Sequence, residues 1–257
     1  MKELQLSKIH QAFEAKMVNF AGYHMPIQYS RGIKYEHDIV RKSVGIFDVS
    51  HMGQIFVKGN NSLDFLQYVL SNDVSKLEPG KVQYTYMPNY NGGIVDDLLL
   101  YMIEVNHYLL VVNASNIEKD FLWLKQENKY NCDIINESNN YSILAVQGPK
   151  SRDLLLQLTD CNISPIKYYN FIIGSINDID NIIISRTGYT GELGFELYIK
   201  NKYVEKVWDY LFKTDIELNP IGLAARDTLR LEKGYCLYGN DIDDSTSPIE
   251  AGLSWIT

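Results

Sequence analysis

The chain has 257 residues, which corresponds to one large or two smaller domains at roughly 150 residues per domain. Hydrophobic residues make up 46% of the sequence and charged residues 22%, a globular composition that excludes a disordered, collagen-like or coiled-coil chain. The formal net charge is -8. We therefore expect no nucleic-acid partner, because general nucleic-acid binding requires a basic surface that displaces counterions.

Cysteine usage and the lack of long apolar runs indicate the compartment. Cys132, Cys161 and Cys236 lie far apart and form no CxxC pair, so we expect reduced thiols rather than a disulfide framework or a zinc ribbon. No apolar run approaches the roughly 18 residues of a membrane-spanning helix, and the N-terminus resembles neither a secretion signal nor a transit peptide. The expectation is a cytoplasmic protein without a membrane partner, or a mitochondrial matrix protein if a transit peptide was removed before residue 1.

The first half of the chain is predicted to alternate helices with strands. Ser62 is placed to cap a helix, Asn91-Gly92-Gly93 predicts a tight hairpin turn, and Ser115 and Glu118 have capping-box spacing ahead of a further helix. Helices are predicted over residues 36–44 and 63–70, and strands over residues 46–57 with a central break, 82–87, 94–103 and 108–112.

The second half begins with a polar, asparagine-rich stretch over residues 126–141, which predicts a surface loop around a short strand and a candidate domain boundary. Beyond it, a helix is predicted after Gly148-Pro149 and strands over 182–185 and 195–199. An amphipathic helix follows, with an apolar face made of Val204, Val207, Trp208 and Leu211. The last predicted elements are a helix over 223–233 that ends at Gly234 and a strand-like end over 252–257. This mixed order with hairpins indicates an α+β fold, with mixed and antiparallel sheets flanked by helices, rather than a doubly wound sheet.

Two adjacent acids, Asp96 and Asp97, lie within an otherwise apolar strand. Strand residues alternate between faces, so the two carboxylates should point in opposite directions and one should face the interior. A buried carboxylate requires a hydrogen-bond donor, a cation or a ligand. The alternative is that one acid is solvated while a nearby turn amide satisfies the other.

Residues 185–197 form a glycine-rich segment in which Gly188, Gly191 and Gly194 are three residues apart. The spacing matches neither the dinucleotide fingerprint nor the phosphate loop, and a strand rather than a helix follows, so we expect no nucleotide cofactor. The glycines allow either a close backbone approach or a complex turn. Glu196 is an acid among apolar neighbours in the returning strand, and it is either a ligand-binding carboxylate or a surface acid on a bulged hairpin.

Two further residues are candidates for ligand binding or catalysis. Arg226 offers a planar donor fork for a carboxylate, although pairing with a local acid would explain it equally well. His51 has the chemistry of a base, although a lone histidine beside a strand end is more often packed or hydrogen-bonded. The sequence has no HExxH or GxSxG motif and no metal-ligand spacing, so we expect no metal.

Seven segments of the sequence, in order, carry a family pattern. They are residues 15–26, 41–53, 92–97, 111–120, 147–149, 186–196 and 222–227. No single segment is decisive, but the ordered set is specific and extends from about residue 8 to the end of the chain. In this order the segments resemble the glycine cleavage T-protein family, the aminomethyltransferases.

The resemblance implies a reaction and its participants. The family transfers an aminomethyl group from the lipoyl arm of the H-protein to tetrahydrofolate, a co-substrate that binds at the centre of a cloverleaf of three domains. The products are 5,10-methylenetetrahydrofolate, ammonia and dihydrolipoyl H-protein. The domains expected by resemblance are a discontinuous folate-binding domain over 1–54 and 138–252, a second domain over 55–137, and a stub at 253–257 that leads to a third, β-barrel domain absent from this chain.

The same resemblance assigns roles to individual residues. Asp97 matches the catalytic acid beside folate N10, Glu196 the acid that binds the pterin edge, and Arg226 a substrate-binding arginine. The positions matching the lining of the folate pocket are Met52, Tyr84, Asn113, Tyr189 and Tyr235. No metal and no nucleotide belong to this set.

Related proteins of the same fold remain alternatives. A non-catalytic folate-binding protein of the iron–sulfur-maintenance type carries Lys-Gly-Cys-Tyr followed by Gly-Gln-Glu, whereas residues 233–236 here are Lys-Gly-Tyr-Cys and the Gln-Glu is missing. A sarcosine or dimethylglycine dehydrogenase would require a flavin domain, and the sequence has no dinucleotide fingerprint. A degenerate, truncated T-protein is a further alternative. Tyr23 also departs from the family, which usually has Trp at this position.

Overall fold

The computed structural model describes residues 1–257. Its strands are β1 Lys2–Glu3, β2 Lys16–Phe20, β3 Tyr23–Gln28, β4 Gly45–Asp48, β5 Gly53–Lys58, β6 Val82–Pro88, β7 Ile94–Glu104, β8 His107–Val112, β9 Asp133–Asn136, β10 Tyr141–Gln147, β11 Phe171–Ile176, β12 Ile179–Ser185, β13 Gly194–Lys200 and β14 Asn219–Pro220. Its α-helices are α1 Ser7–Ala12, α2 Ile33–Lys42, α3 Ser62–Val69, α4 Ile117–Glu127, α5 Ser151–Leu155, α6 Asn201–Leu211 and α7 Leu223–Leu231, and 3-10 helices cover Val74–Lys76, Ala114–Asn116 and Ser254–Ile256.

The chain divides into two compact units, each made of two segments. Unit 1 comprises Met1–His51 and Asn140–Tyr235, and unit 2 comprises Met52–Asn139 and Cys236–Thr257. The domain boundaries expected from the family remain a proposal, since a compact unit is defined by internal packing alone.

Unit 1 is organised around a six-stranded sheet in the order β11-β12-β13-β10-β4-β14, and it also holds a three-stranded sheet in the order β1-β3-β2. Most neighbours are antiparallel, while β14 runs parallel to β4 and β1 parallel to β3. Helix α6 contributes its apolar face to the core, as its spacing predicts. The residues on that face are Val204, Val207, Trp208 and Leu211, all of them buried.

Unit 2 contains an antiparallel five-stranded sheet in the order β6-β7-β8-β5-β9. The predicted hairpins are confirmed. Strands β6 and β7 pair directly, Gly92 adopts the positive φ that their turn requires, and Asn106 does the same between β7 and β8. One face of this sheet packs against α3 and α4 in a continuous apolar core.

The end of the chain packs onto β6 and the start of β7. Tyr86 and Ile94 form a buried cluster with Ile242, Leu253 and Ile256. The strand-like end expected over residues 252–257 is wrong, because these residues form a turn followed by a 3-10 helix. A single turn of helix suffices to present Leu253 and Ile256 to the cluster, and the segment pairs with no sheet edge.

Two predicted helix caps are also wrong. Ser62 lies inside α3, its hydroxyl has no hydrogen-bond partner, and Asn61 precedes the helix without a side-chain cap. A 3-10 turn precedes α4, and no side chain caps that helix from Asn116. The structure therefore gives no capping role to the Ser115 and Glu118 pair.

The α+β class with mixed and antiparallel sheets is confirmed. Among the helices of the structure, none combines the length and the apolar character needed to cross a lipid bilayer.

Candidate functional site

The two acids of β7 lie where the strand loses one neighbour. The pairing of β7 with β8 begins at Leu99 opposite Val111, so residues 96 and 97 extend beyond β8. On the other side β6 continues, with Tyr86 opposite Asp97 and Met87 opposite Asp96. The free edge leaves room for the residues that follow β8.

The two carboxylates lie on opposite faces of the sheet, as strand alternation predicts. Met87, opposite Asp96, belongs to the core under α4, whereas Tyr86, opposite Asp97, belongs to the cluster covered by the chain end. Asn113, the first residue after β8, reaches both acids. Its Nδ2 lies 2.9 Å from Oδ1 of Asp96 and 2.9 Å from Oδ1 of Asp97.

Asp97 is half-buried and is held by two neutral donors. The Tyr84 phenol donates to Oδ2 at 2.7 Å, and the Asn113 amide donates to Oδ1. Burial and the neighbouring charge of Asp96 raise the pKa of Asp97 to about 7, and the two hydrogen bonds oppose this rise. A carboxyl with this pKa exchanges a proton near neutral pH, as a general acid or base should.

Asp96 is fully buried and accepts hydrogen bonds from three nitrogens. The Asn113 backbone N–H and side-chain amide donate at 3.0 and 2.9 Å, and the Asn116 amide donates at 2.6 Å. Asp96 is therefore the acid whose hydrogen bonds come from a nearby turn, as one of the two sequence-based alternatives predicted. This residue fixes the turn that begins α4, and through Asn113 it also fixes the position of Asp97.

Unit 1 holds the remaining candidate residues except Met52. Glu196 on β13 is buried and accepts a hydrogen bond from the Thr187 hydroxyl. Burial raises the pKa of Glu196, although this hydrogen bond and the positive charge of Arg226 act in the opposite direction. The surface-acid alternative for Glu196 is wrong, because this carboxylate is 7% exposed.

Arg226 on α7 lies beside one ring of a stacked aromatic pair. Its guanidinium lies 4.6 Å from the centre of the Tyr189 ring, and Tyr189 stacks on Tyr235 with ring centres 5.9 Å apart. Nη1 of Arg226 is buried and has no hydrogen-bond partner. A buried guanidinium nitrogen without an acceptor is costly for the free protein, so the site favours a ligand that brings an acceptor.

His51 is packed in the interior, the alternative to a catalytic base that the sequence left open for this residue. It is 3% exposed, and its ring meets Phe20 and Tyr23 edge-on. Burial, together with the charge of Arg226, lowers the pKa of His51 to about 3. The imidazole is therefore neutral at physiological pH.

The glycines of residues 185–197 allow the close approach that their spacing suggested. A Cβ at Gly188 or at Gly194 would overlap the side-chain amide of Gln147. That amide is fully buried, with Nε2 3.2 Å from the Thr187 carbonyl and Oε1 3.0 Å from the Thr190 hydroxyl. The segment therefore folds around Gln147, and this places Thr187 beside Glu196.

Met52, the last candidate residue, is half-buried at the start of unit 2. Its carbonyl accepts from the Gln54 amide at 2.6 Å. The structure therefore brings together Asp97, Tyr84 and Asn113 within unit 2, and Glu196, Arg226, Tyr189 and Tyr235 within unit 1.

Two polar residues beside the acid pair, Asn116 and Asp120, were not among the predicted site residues. Asp120 is fully buried, and a usable signal was present. It lies three residues after Ile117 and four before Leu124, on the face of α4 that the apolar residues define. Asn116 gave no comparable signal, because its role depends on the position of Asp96 in a distant strand.

Comparison with known proteins adds the family. The model of the GCVT N-terminal domain matches residues 6–257. Aminomethyltransferases of Bacteroides fragilis and Flavobacterium psychrophilum are 57% and 54% identical over 259 residues, which cover 100% of this chain and 72% of each relative. The chain belongs to the aminomethyltransferase family. The predicted resemblance is confirmed, and with it the enzyme class, a one-carbon group transferase.

Solved structures agree with this aminomethyltransferase assignment. The glycine cleavage system aminomethyltransferase T from Bartonella henselae superposes with a TM-score of 0.93 at 36% identity, covering 99% of this chain and 69% of that chain. The heterotetrameric sarcosine oxidase from Corynebacterium sp. U-96 gives a TM-score of 0.54 at 13% identity, with 89% of this chain and 96% of that chain covered. At this identity the second similarity concerns the fold alone.

Proposed function

We propose that this protein transfers the aminomethyl group of S-aminomethyl-dihydrolipoyl H-protein to tetrahydrofolate. The products would be 5,10-methylenetetrahydrofolate, ammonia and dihydrolipoyl H-protein. The observation that carries the proposal is the Asp97 carboxyl, held by Tyr84 and Asn113 with a pKa of about 7. The identity of the substrates is taken from the family.

Asp97 is the proposed catalytic residue. As a carboxylate it accepts a hydrogen bond from an amine and orients the nitrogen lone pair toward the carbon to be transferred. Its negative charge also stabilises positive charge that develops as ammonia leaves. Tyr84 and Asn113 fix the carboxylate plane, so little reorganisation is required during the reaction.

The unit 1 residues fit tetrahydrofolate as co-substrate. A pterin offers several N–H donors along one edge, and the Glu196 carboxylate is an acceptor in a buried setting. The unpartnered Nη1 of Arg226 requires an acceptor, and the stacked pair Tyr189 and Tyr235 provides flat apolar surface for a planar group. Bound tetrahydrofolate supplies the amine nucleophiles that receive the one-carbon unit.

The proposed macromolecular partner is the lipoylated H-protein, and Met52 is proposed to line the folate pocket. Both assignments come from the family. The bacterial origin of the relatives supports a cytoplasmic location as part of the proposal.

Tetrahydrofolate-dependent ammonia release tests the proposal. Purified protein is mixed with aminomethylated H-protein, and ammonia and 5,10-methylenetetrahydrofolate are measured with and without tetrahydrofolate. We expect equal amounts of both products, formed only when tetrahydrofolate is present. Tetrahydrofolate binding without product formation would contradict the transferase and favour a non-catalytic folate-binding protein, the alternative left by the sequence.

A further inference from the structure

Asp120 lies in the first turns of α4 and presents a buried carboxyl that the proposed mechanism does not use. The residue is 0% exposed, and neither Oδ1 nor Oδ2 has a hydrogen-bond donor within reach. An ionised carboxylate in this environment would lose its hydration without compensation, a state that proteins avoid by keeping the group neutral.

The carboxyl of Asp96 faces this side of α4, because Asn116, whose amide donates to Asp96, lies one helical turn before Asp120. Asp96 is also the side chain that acts most strongly on the pKa of Asp120. Asp96 already accepts from the Asn113 backbone N–H, the Asn113 amide and the Asn116 amide. Two carboxyl groups bond to each other only when one of them carries a proton. Asp96 already has three donors and Asp120 has none, so the shared proton belongs on Asp120.

We propose that Asp120 is a positioning residue for Asp97: its carboxyl is neutral, donates its proton to Asp96, and thereby holds the Asp96–Asn113 bridge in place. The roles of the three acids then differ by their surroundings. Asp96 is the hydrogen-bond acceptor, Asp120 is the neutral donor, and Asp97 is the group that faces the reaction. This inference rests on the proposed function only in its last assignment.

The electrostatic consequence concerns Asp97. The charge of Asp96 raises the pKa of Asp97, and a hydrogen bond from Asp120 disperses part of that charge. Burial and the charges of Asp96 and Asp97 raise the pKa of Asp120 well above its ordinary range, while Lys119 on its own helix opposes this. Tyr238 is a further titratable group here, with Asp243 and Asp244 close to it, and its phenol accepts from the Lys119 ammonium at 3.0 Å.

Two substitutions separate the donor role from simple packing. In Asp120→Asn the amide still donates to Asp96 and carries no charge. In Asp120→Leu the size is similar but no donor remains. For Asp120→Asn we expect the acid limb of the turnover–pH profile to stay in place. For Asp120→Leu we expect the acid limb to move to higher pH by about one unit. Without a hydrogen bond from residue 120, the full charge of Asp96 opposes ionisation of Asp97.

A purely structural role would lower the plateau of both profiles and leave the limb in place, which would overturn the proposal. If Asp120→Leu misfolds, the infrared spectra of the wild type and of Asp120→Asn decide. An Asp120→Asn protein that folds as the wild type does but loses turnover a hundredfold or more would show that the amide cannot replace the acid, and it would also overturn the proposal.

Infrared spectroscopy provides a readout that needs no activity. Wild-type protein labelled with 13C-aspartate should show the band of a protonated, buried carboxylic acid at mildly alkaline pH, where Asp97, with its pKa of about 7, is ionised. That band should persist in Asp97→Asn and disappear in Asp120→Asn. Its absence from the wild type would overturn the inference even if the enzyme is active, and its presence in an inactive protein would contradict the proposed function alone.

Discussion

The Tyr84 phenol donates a 2.7 Å hydrogen bond to Oδ2 of Asp97 across the pair of strands β6 and β7. Tyr84 lies opposite Leu99, two residues beyond Asp97, so the two side chains are diagonal neighbours on one face of the sheet. Trp255 stacks on the Tyr84 ring with ring centres 5.8 Å apart. The register of a hairpin and one aromatic stack therefore fix the hydrogen bond to the proposed catalytic acid.

Removal of this hydrogen bond should shift the pH dependence of turnover. The hydrogen bond stabilises ionised Asp97, so Tyr84→Phe should raise the pKa of Asp97 above about 7. Since the carboxylate is the active form, turnover near pH 7 should fall several-fold and recover at higher pH. The turnover–pH profile measures this. Tyr86→Phe is the control, because the Tyr86 phenol bonds to Thr257 instead, and an identical acid limb in both variants would contradict the prediction.

Loss of the Glu196 charge should weaken tetrahydrofolate binding. Glu196→Gln replaces an acceptor-only carboxylate with an amide that presents a donor to a donor edge, so we expect the Kd to rise about tenfold or more. Isothermal titration calorimetry measures the Kd. The matched control is Glu205→Gln, an exposed acid on α6, and equal affinity in the two variants would remove Glu196 from the binding site.

The glycine at position 194 should not tolerate a side chain. A methyl group there overlaps the Gln147 amide, which is held in place by hydrogen bonds, so Gly194→Ala should reduce the free energy of unfolding by about 1–3 kcal/mol. Chemical denaturation measures this. In a Gln147→Ala background the overlap is relieved, so Gly194→Ala should then cost less free energy of unfolding. If the losses of the two single variants instead add fully in the double variant, the two side chains do not interact.

A buried polar chain in unit 1 should contribute to stability. Asp48 accepts from His10 at 2.9 Å, and the other ring nitrogen of His10 bonds to the Tyr29 phenol at 2.9 Å. Removing one partner of a buried pair costs roughly 3–5 kcal/mol, so Asp48→Ala should destabilise the protein by about that amount. Tyr29→Phe, which removes one neutral hydrogen bond, should cost only about 1 kcal/mol, and equal losses would argue against a charge-assisted pair.

The same pair gives a pH prediction with a definite sign. The His10 and Ser50 hydrogen bonds, which outweigh burial, leave the pKa of Asp48 below its ordinary value. A carboxyl with a lowered folded-state pKa stabilises the protein above its unfolded-state pKa and loses that contribution as the pH falls toward the folded-state value. The denaturant midpoint of unfolding should therefore fall more steeply with decreasing pH for the wild type than for Asp48→Ala. Parallel curves would contradict this.

Local patterns predicted much of the fold. Alternation along residues 82–87 and 94–103 correctly indicated paired strands, and the spacing of Val204 and Trp208 indicated a buried helix face. Capping patterns were less successful. Ser115 and Glu118 have the required spacing, but residues 114–116 form a 3-10 turn ahead of α4. Asp96 accepts from the backbone N–H of Asn113, the residue before that turn. Such a partner lies seventeen positions away, so no local pattern reveals it.

The candidate site was predictable as residues but not as an arrangement. Asp97 and Glu196 stood out as acids in apolar strands, and the family pattern assigned roles to them. The bridge through Asn113 depends on the pairing of β7 with β8 stopping at Leu99, two positions short of Asp97, which is a property of register. The burial of Asp120 follows from helical spacing, whereas its neighbour Asp96 follows only from the packing of α4 on β7.

Turnover of Asp97→Asn tests the central claim most directly. Ammonia release from aminomethylated H-protein is measured at saturating tetrahydrofolate, alongside the Kd for tetrahydrofolate, with Glu104→Gln at the exposed end of the same strand as control. We predict that Asp97→Asn binds tetrahydrofolate normally and turns over a hundredfold or more slowly, the approximate scale of general acid–base effects. Wild-type turnover in Asp97→Asn would contradict the account and remove Asp97 from the mechanism.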